Sequence, residues 1–242
     1  MEHVLAGGNM GGAVRAGDTV RRTAGPWTPT VQRLLAHLRT RGLTWTPIPG
    51  GTDAQGRDVT SYLPGTVLND ALPAWAWSDG VLTGAATLLA ELHAATATFD
   101  RTGAVWRMPA HEPAEVICHN DFAPYNMVFT GHRLTGVIDW DTVSPGPRIW
   151  DVAYLAYRLI PLTDPANREG VDNGEPERAR RLDLLCRTYG GLSPAAVVHT
   201  AIARLHDLAA FTEARAAAGD HHVRAHVAVY RRDAAFLTQA TT

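Results

Sequence analysis

The sequence predicts an α+β protein of two unequal lobes, and three observations carry that prediction. The first 65 residues alternate short apolar runs with glycine turns around a single helical pattern. Residues 66–242 are dominated by helical periodicity. That helical part is interrupted at 116–140 by short apolar strands around a polar loop. The expected junction is the run Val59-Thr60-Ser61-Tyr62-Leu63-Pro64-Gly65, an apolar strand that closes on Pro-Gly. It divides the chain into a small lobe at 1–65 and a larger one at 66–242.

The elements follow in order. Val4-Leu5-Ala6 runs into Gly7-Gly8-Asn9-Met10-Gly11-Gly12, then Ala13-Val14-Arg15, a turn at Gly17-Asp18, and Thr19-Val20-Arg21. Glycine pairs between such runs are hairpin signals. Thr28 is placed to cap a helix whose first residue is Pro29, where a missing N–H costs nothing. Val31, Leu34, Leu35 and Leu38 give that helix an apolar face, and Gly42 ends it. Ser78 is a cap for a long helix reaching about Phe99, with Val81, Leu82, Ala85, Leu88, Leu89 and Leu92 inward. Strands are expected at Val116-Ile117-Cys118, Met127-Val128-Phe129 and Leu134 to Ile138. From Ile149 onward the pattern is helical apart from a Pro/Gly/charge-rich loop at 161–177.

Composition narrows the function. All 22 basic residues are arginine and the net charge is -2, without the basic stripe a nucleic-acid binder needs. No apolar run is long enough for a membrane span, the first residues lack the pattern of a secretion signal, and Cys118 and Cys186 form no disulfide framework. These features point to a cytoplasmic protein that acts on neither nucleic acid nor membrane. His221, His222 and His226 lack a third ligand for a metal, and His111-Glu112-Pro113 does not continue into a zinc-protease motif. Cys118, on an apolar run, reads as a buried core thiol.

The chemistry concentrates in Cys118-His119-Asn120-Asp121-Phe122-Ala123-Pro124-Tyr125-Asn126-Met127. A loop between two strands presents one carboxylate and, five residues on, one carboxamide; a later strand ends in Ile138-Asp139-Trp140-Asp141. Phosphoryl transfer needs such a set. One carboxylate orients the acceptor hydroxyl and takes its proton, and hard oxygen donors hold Mg²⁺ against the phosphates. Each residue alone would be an ordinary loop or strand end; their common order and spacing is what argues for chemistry.

His119-x-Asp121-x-x-x-x-Asn126 followed by Ile138-Asp139-Trp140-Asp141 resembles the aminoglycoside phosphotransferase and choline kinase branch of the protein-kinase-like superfamily. The Asp-Phe-Gly of protein kinases is replaced by Asp139-Trp140-Asp141, and their Ala-Pro-Glu is missing. The resemblance implies a two-lobed kinase fold and transfer of the γ-phosphoryl group of ATP or GTP to a small hydroxylated acceptor such as an antibiotic. It assigns Asp121 as catalytic base, Asn126 and Asp139 as magnesium ligands, His119 as a brace for the loop, and Asp151 as a buried support from the next helix. Asp141 either assists the metal or caps a turn.

In the first lobe the resemblance assigns Gly7, Gly8 and Asn9 to a phosphate loop, and the backbone at Tyr62 and Leu63 to the purine edge. The superfamily's strand lysine has no counterpart. Thr19-Val20-Arg21-Arg22 offers only arginine, and alternation sends one of the pair toward the nucleotide: Arg21, with Arg22 in reserve. The glutamate that usually partners that lysine is also missing, and Gln32 is the nearest polar residue on the helix. Those departures leave a second reading, a kinase-fold protein that binds a ligand and transfers nothing, such as an immunity protein. The acceptor itself is not written in the sequence: the acids beyond residue 160 are interleaved with arginines, as on a solvated surface.

Overall fold

The computed structural model describes residues 2–5, 12–69, 71–167, 174–220 and 223–240. Short runs in the N-terminal part form an antiparallel sheet: β1 (Glu2–Leu5), β2 (Ala13–Ala16), β3 (Thr19–Arg22), β4 (Pro49–Thr52) and β5 (Asp58–Ser61), in the order β1-β2-β3-β5-β4. The β2–β3 hairpin turns on Gly17 at φ +61°, a conformation open to glycine at no steric cost. Pairing of β3 with β5 sets Arg21 opposite Val59 and Arg22 opposite Asp58.

Between β3 and β4 lies α1 (Thr28–Thr40), whose Val31, Leu34, Leu35 and Leu38 are buried as their spacing predicts. Each leucine buried this fully stabilises the fold by roughly 2 kcal/mol. Pro29 is in the first turn, but Trp27 holds the cap position and Thr28 does not cap. The Thr28 hydroxyl accepts instead from the Gly25 N–H at 2.9 Å, so it tightens the approach to the helix. The helix closes through Leu43 N–H to the Leu38 carbonyl, past Gly42 at φ +84°.

β6 (Thr66–Val67) leaves the first sheet to join β8 (Met127–Thr130) and β9 (Arg133–Val137) in a second. The crossing is tight at Gly65: a Cβ there would lie 2.5 Å from Val128 Cγ1 and 2.7 Å from the Phe129 carbonyl oxygen. β7 (Val116–Cys118) pairs with β10 (Ser144–Gly146). The helices are α2 (Asp79–Thr96), α3 (Arg148–Leu159), α4 (Gly174–Tyr189), α5 (Pro194–Ala217) and α6 (Arg224–Ala240). Ser78 does cap α2, its Oγ accepting from the Val81 N–H at 3.4 Å.

The chain gathers into two compact units, Met1–Asp70 with Leu88–Arg148, and Ala71–Thr87 with Ile149–Thr242. Gly65, the expected junction, lies within the first unit. That unit is built on the leucines of α1, on Leu89 and Leu92, and on the buried strands β7 and β8. In the second, the fully buried Asp233 accepts from Tyr157 Oη at 2.8 Å, from the Asp164 N–H at 2.9 Å and from Asn167 Nδ2 at 2.9 Å. Three donors are what a buried carboxylate needs to remain in an interior. Arg204, also buried, lies over the rings of Trp150 and Tyr154 at 5.0 and 5.1 Å. Among the described residues no helix is long and apolar enough to cross a membrane.

Candidate active site

The loop after β7 is built around His119, which is fully buried. Its Nδ1 accepts from the Asp121 N–H at 3.3 Å and its Nε2 meets the Ile138 carbonyl at 3.2 Å, which together place the ring proton on Nε2. The ring lies edge-on to Trp140 at 4.9 Å and to Phe122 at 5.7 Å. His119 therefore ties the two halves of the motif together. Asn120 reinforces the tie through Nδ2, which donates to the Thr142 carbonyl and to Ser144 Oγ, both at 2.8 Å. Asn120 and Asp139 adopt φ of +63° and +62°. Non-glycine residues are uncommon in that region, and they concentrate where surrounding contacts over-determine a functional geometry.

Asp121 is held at both oxygens. Asn126 Nδ2 donates to Oδ2 and to the Asp121 carbonyl, each at 2.9 Å, and Tyr125 Oη donates to Oδ1 at 2.5 Å. The enclosing protein strips water from the carboxyl and pushes its pKa above the ordinary carboxylate value, a rise that the Tyr125 hydroxyl partly opposes. The Asn126 carbonyl in turn accepts from the Ile138 N–H at 2.9 Å, which locks Asn126 beside the strand end that carries Asp139.

A cavity of about 340 Å³ opens in this unit, the scale of a small-molecule pocket. Its walls include Val20, Arg22, Leu63, Tyr125, Asn126 and Asp139. Asp121 is not one of the wall residues; Tyr125 and Asn126, both bonded to its carboxylate, are.

The arginine pair is reversed from expectation. Arg21 turns away to Thr19 Oγ1 at 2.9 Å and to Asp53 at 3.4 Å. Arg22 lines the cavity, 2.8 Å from Asp139 Oδ1 and 3.3 Å from Asp141 Oδ2. Strand alternation fixes that the two side chains take opposite faces, and the pairing of β3 with β5 decides which face meets the cavity. Asp141, buried beneath Arg22, also meets Arg107 at 3.5 Å, and Arg107 lies over the Trp27 ring at 4.6 Å. Burial raises the Asp141 pKa, with Arg22 pulling the other way.

Gln32 of α1 does not face Arg22. Its Nε2 donates to Asp58 Oδ1 at 2.5 Å and to the Val59 carbonyl at 3.0 Å, and its Oε1 accepts from the Gly51 N–H at 2.8 Å. The carboxylate facing Arg22 across the strands is thus Asp58 on β5, and burial raises its pKa as well. Tyr62 and Leu63 both line the cavity, but the Tyr62 N–H donates to the Asp18 carbonyl at 2.8 Å and is not available to a purine edge. Arg15 lies over the Tyr62 ring at 3.7 Å. Gly7, Gly8 and Asn9 fall outside the described residues, as do His221 and His222. Asp151 is fully buried in the first turn of α3, within the second unit. Sequence reasoning missed Tyr125 and Asp58. The signal for Tyr125 was a hydroxyl beside Asn126 in the motif itself, whereas Asp58 becomes visible only once the strands are paired.

The donor set suits a hard divalent cation. With its Nδ2 committed to Asp121, Asn126 retains Oδ1 as the free amide oxygen, and Asp139 supplies a carboxylate on the same cavity.

The sequence model of the phosphotransferase enzyme family matches residues 100–191. The trifolitoxin immunity protein of Rhizobium leguminosarum bv. trifolii is 32% identical over 197 residues, which is 78% of this chain and 74% of that protein. Among solved structures, a choline/ethanolamine kinase family protein from Mesorhizobium loti superposes with a TM-score of 0.64 at 18% identity, covering 98% of this chain and 88% of its own. The GDP complex of aminoglycoside 2'-phosphotransferase-IIIa superposes with a TM-score of 0.61 at 14% identity, covering 97% and 92%. At these identities the superpositions establish the protein-kinase-like fold.

Proposed function

This chain belongs to the phosphotransferase enzyme family, and from that premise we propose that it moves the γ-phosphoryl group of ATP or GTP onto a hydroxyl of a small molecule. One observation carries the reading. Asn126 and Asp139 share a cavity wall with the half-buried Arg22, while Asp121 is clamped to Asn126 at that wall. A bound Mg²⁺, held by Asn126 and Asp139, would neutralise charge on the transferring phosphates. Arg22 is the phosphate-binding cation, its planar fork replacing an ammonium. Asp121 orients the acceptor hydroxyl and takes its proton as the oxygen attacks phosphorus; a carboxyl with a raised pKa is the better proton acceptor. His119 keeps the loop from shifting as this happens. The purine edge is left to Leu63 and to backbone carbonyls of the same segment, and Gly7, Gly8 and Asn9 remain the proposed phosphate loop. Asp151 stands as the proposed support of the loop. In this reading the protein acts in the cytoplasm, on neither nucleic acid nor membrane.

The test is Asp121→Asn. Magnesium-dependent transfer to a panel of hydroxylated antibiotics and amino alcohols is expected to fall by about 10³-fold or more, with nucleotide affinity nearly unchanged. Transfer at the wild-type rate would remove Asp121 from the chemistry.

The immunity-protein relative favours a second reading, in which the chain protects its host by holding a toxin without turnover. A wild-type protein that consumes no nucleotide against the full panel, yet binds a peptide antibiotic, would establish that reading over the first.

A further inference from the structure

The hydroxyl seated on the proposed base belongs to the protein itself. Tyr125 Oη lies 2.5 Å from Asp121 Oδ1, and Tyr125, not Asp121, forms the cavity wall. In a phosphotransferase the acceptor hydroxyl must make this same contact, an O–H donated to the base within about 2.6–3.2 Å. Oδ2 is already taken by Asn126, which holds the carboxylate edge in one orientation. Pro124, which opens the short helical turn that carries Tyr125, and the Asn126 N–H to Ala123 carbonyl bond at 2.8 Å fix the backbone beneath the phenol.

We propose that Tyr125 is a positioning residue that occupies the acceptor's place on Asp121 and keeps water off the base until an acceptor hydroxyl displaces it. The inference rests on the phosphotransferase reading and deepens it. A nucleotide site open to solvent has a competing reaction. A water oxygen attacks the γ-phosphorus, its proton passes to Asp121, and the bridging P–O bond breaks with its electron pair staying on the diphosphate. The phenol is held by the loop and aimed at Oδ1, and it has no path to the γ-phosphorus that water would have. An acceptor with binding energy of its own can displace it, whereas a lone water gains little by doing so. The device thus favours transfer over futile hydrolysis.

The experiment measures nucleotide consumption by the full chain with Mg-ATP and Mg-GTP, without acceptor and then with the acceptor panel. Tyr125→Phe keeps the ring and removes the hydroxyl. Its acceptor-independent hydrolysis is expected to rise about tenfold over wild type, and the rise should vanish in Tyr125→Phe/Asp121→Asn. Tyr125→Leu, equally without the hydroxyl, should show the same rise if the phenylalanine variant does not fold. A residue that merely packs would lower hydrolysis and transfer together. Hydrolysis unchanged or reduced in the folded variant overturns the proposal, and so does a rise that persists without Asp121. The two failures separate cleanly: transfer with unchanged hydrolysis rejects the guard alone, and no consumption by any variant rejects the kinase with it.

Discussion

Arg22 sits between two acids, 2.8 Å from Asp139 and 3.3 Å from Asp141, with most of its side chain out of water. Desolvation works against its charge, and the two carboxylates outweigh that cost. Removing one partner of such a group exposes the others: Arg22→Ala takes from Asp139 the guanidinium 2.8 Å away and leaves Asp141 to Arg107. The expected result is a loss of roughly tenfold or more in nucleotide affinity. Arg21→Ala, by contrast, removes a half-buried pair to Asp53 and a bond to Thr19, worth about 1 kcal/mol of stability, and leaves nucleotide affinity as it was. Paired titrations of nucleotide into the two variants check this, and equal losses would contradict the assignment. The contrast also measures what the sequence could tell. Alternation along β3 separated the two arginines, but only the register opposite β5 says which one turns inward. Tyr62 makes the same point, because its backbone N–H is taken by Asp18, a partner 44 positions away that no local pattern identifies.

Among the elements, α1 and β5 are joined by the Gln32–Asp58 bond at 2.5 Å. Asp58 is buried, and its pKa is pushed above the ordinary 3.8 mainly by desolvation. The sign of the pH effect follows. A carboxyl with a raised folded-state pKa binds its proton more tightly in the native protein than in the unfolded chain. Its contribution to stability is therefore greatest below 3.8 and declines as pH climbs through the folded value. Asp58→Asn keeps a side-chain amide for Gln32 and has nothing to ionise. The variant should gain thermal stability over wild type, more at pH 7 than at pH 4; melting curves at the two values decide it, and a gain that shrinks toward neutrality would refute the sign. The elements themselves were largely legible. The apolar spacing of α1 and the strands flanking the loop at 119–126 lie where periodicity puts them. The Thr28 cap failed because a threonine hydroxyl beside a turn has several backbone N–H groups to choose from, and the nearest was behind it.

For the molecule as a whole, the order of strands and helices was readable because each segment's periodicity agrees with its final environment. The grouping of segments into units was not. Leu88–Arg148 gathers with Met1–Asp70, so the motif loop and the nucleotide-lobe sheet lie in one unit, while α2 contributes to both. Long-range pairings such as β6 with β8 create that grouping, and a sequence shows no trace of them until the chain is folded. Among the described residues the second unit carries no wall of the cavity, so its stability should vary independently of nucleotide binding. Asp233→Ala takes the acceptor from one buried and two half-buried donors and is expected to cost about 3 kcal/mol of unfolding free energy. Nucleotide affinity measured on the folded fraction should stay within about twofold of wild type, since Asp233 bonds none of the cavity's wall residues. A parallel collapse of binding would show that the units do not behave separately.

The guanidinium resting on Asp139 carries a kinetic corollary for the proposed chemistry. While Arg22 holds that carboxylate, Asp139 is the poorer ligand for any free cation, and a triphosphate would compete with Asp139 for the guanidinium. Asp139 would then be released to serve as a ligand chiefly when nucleotide is present.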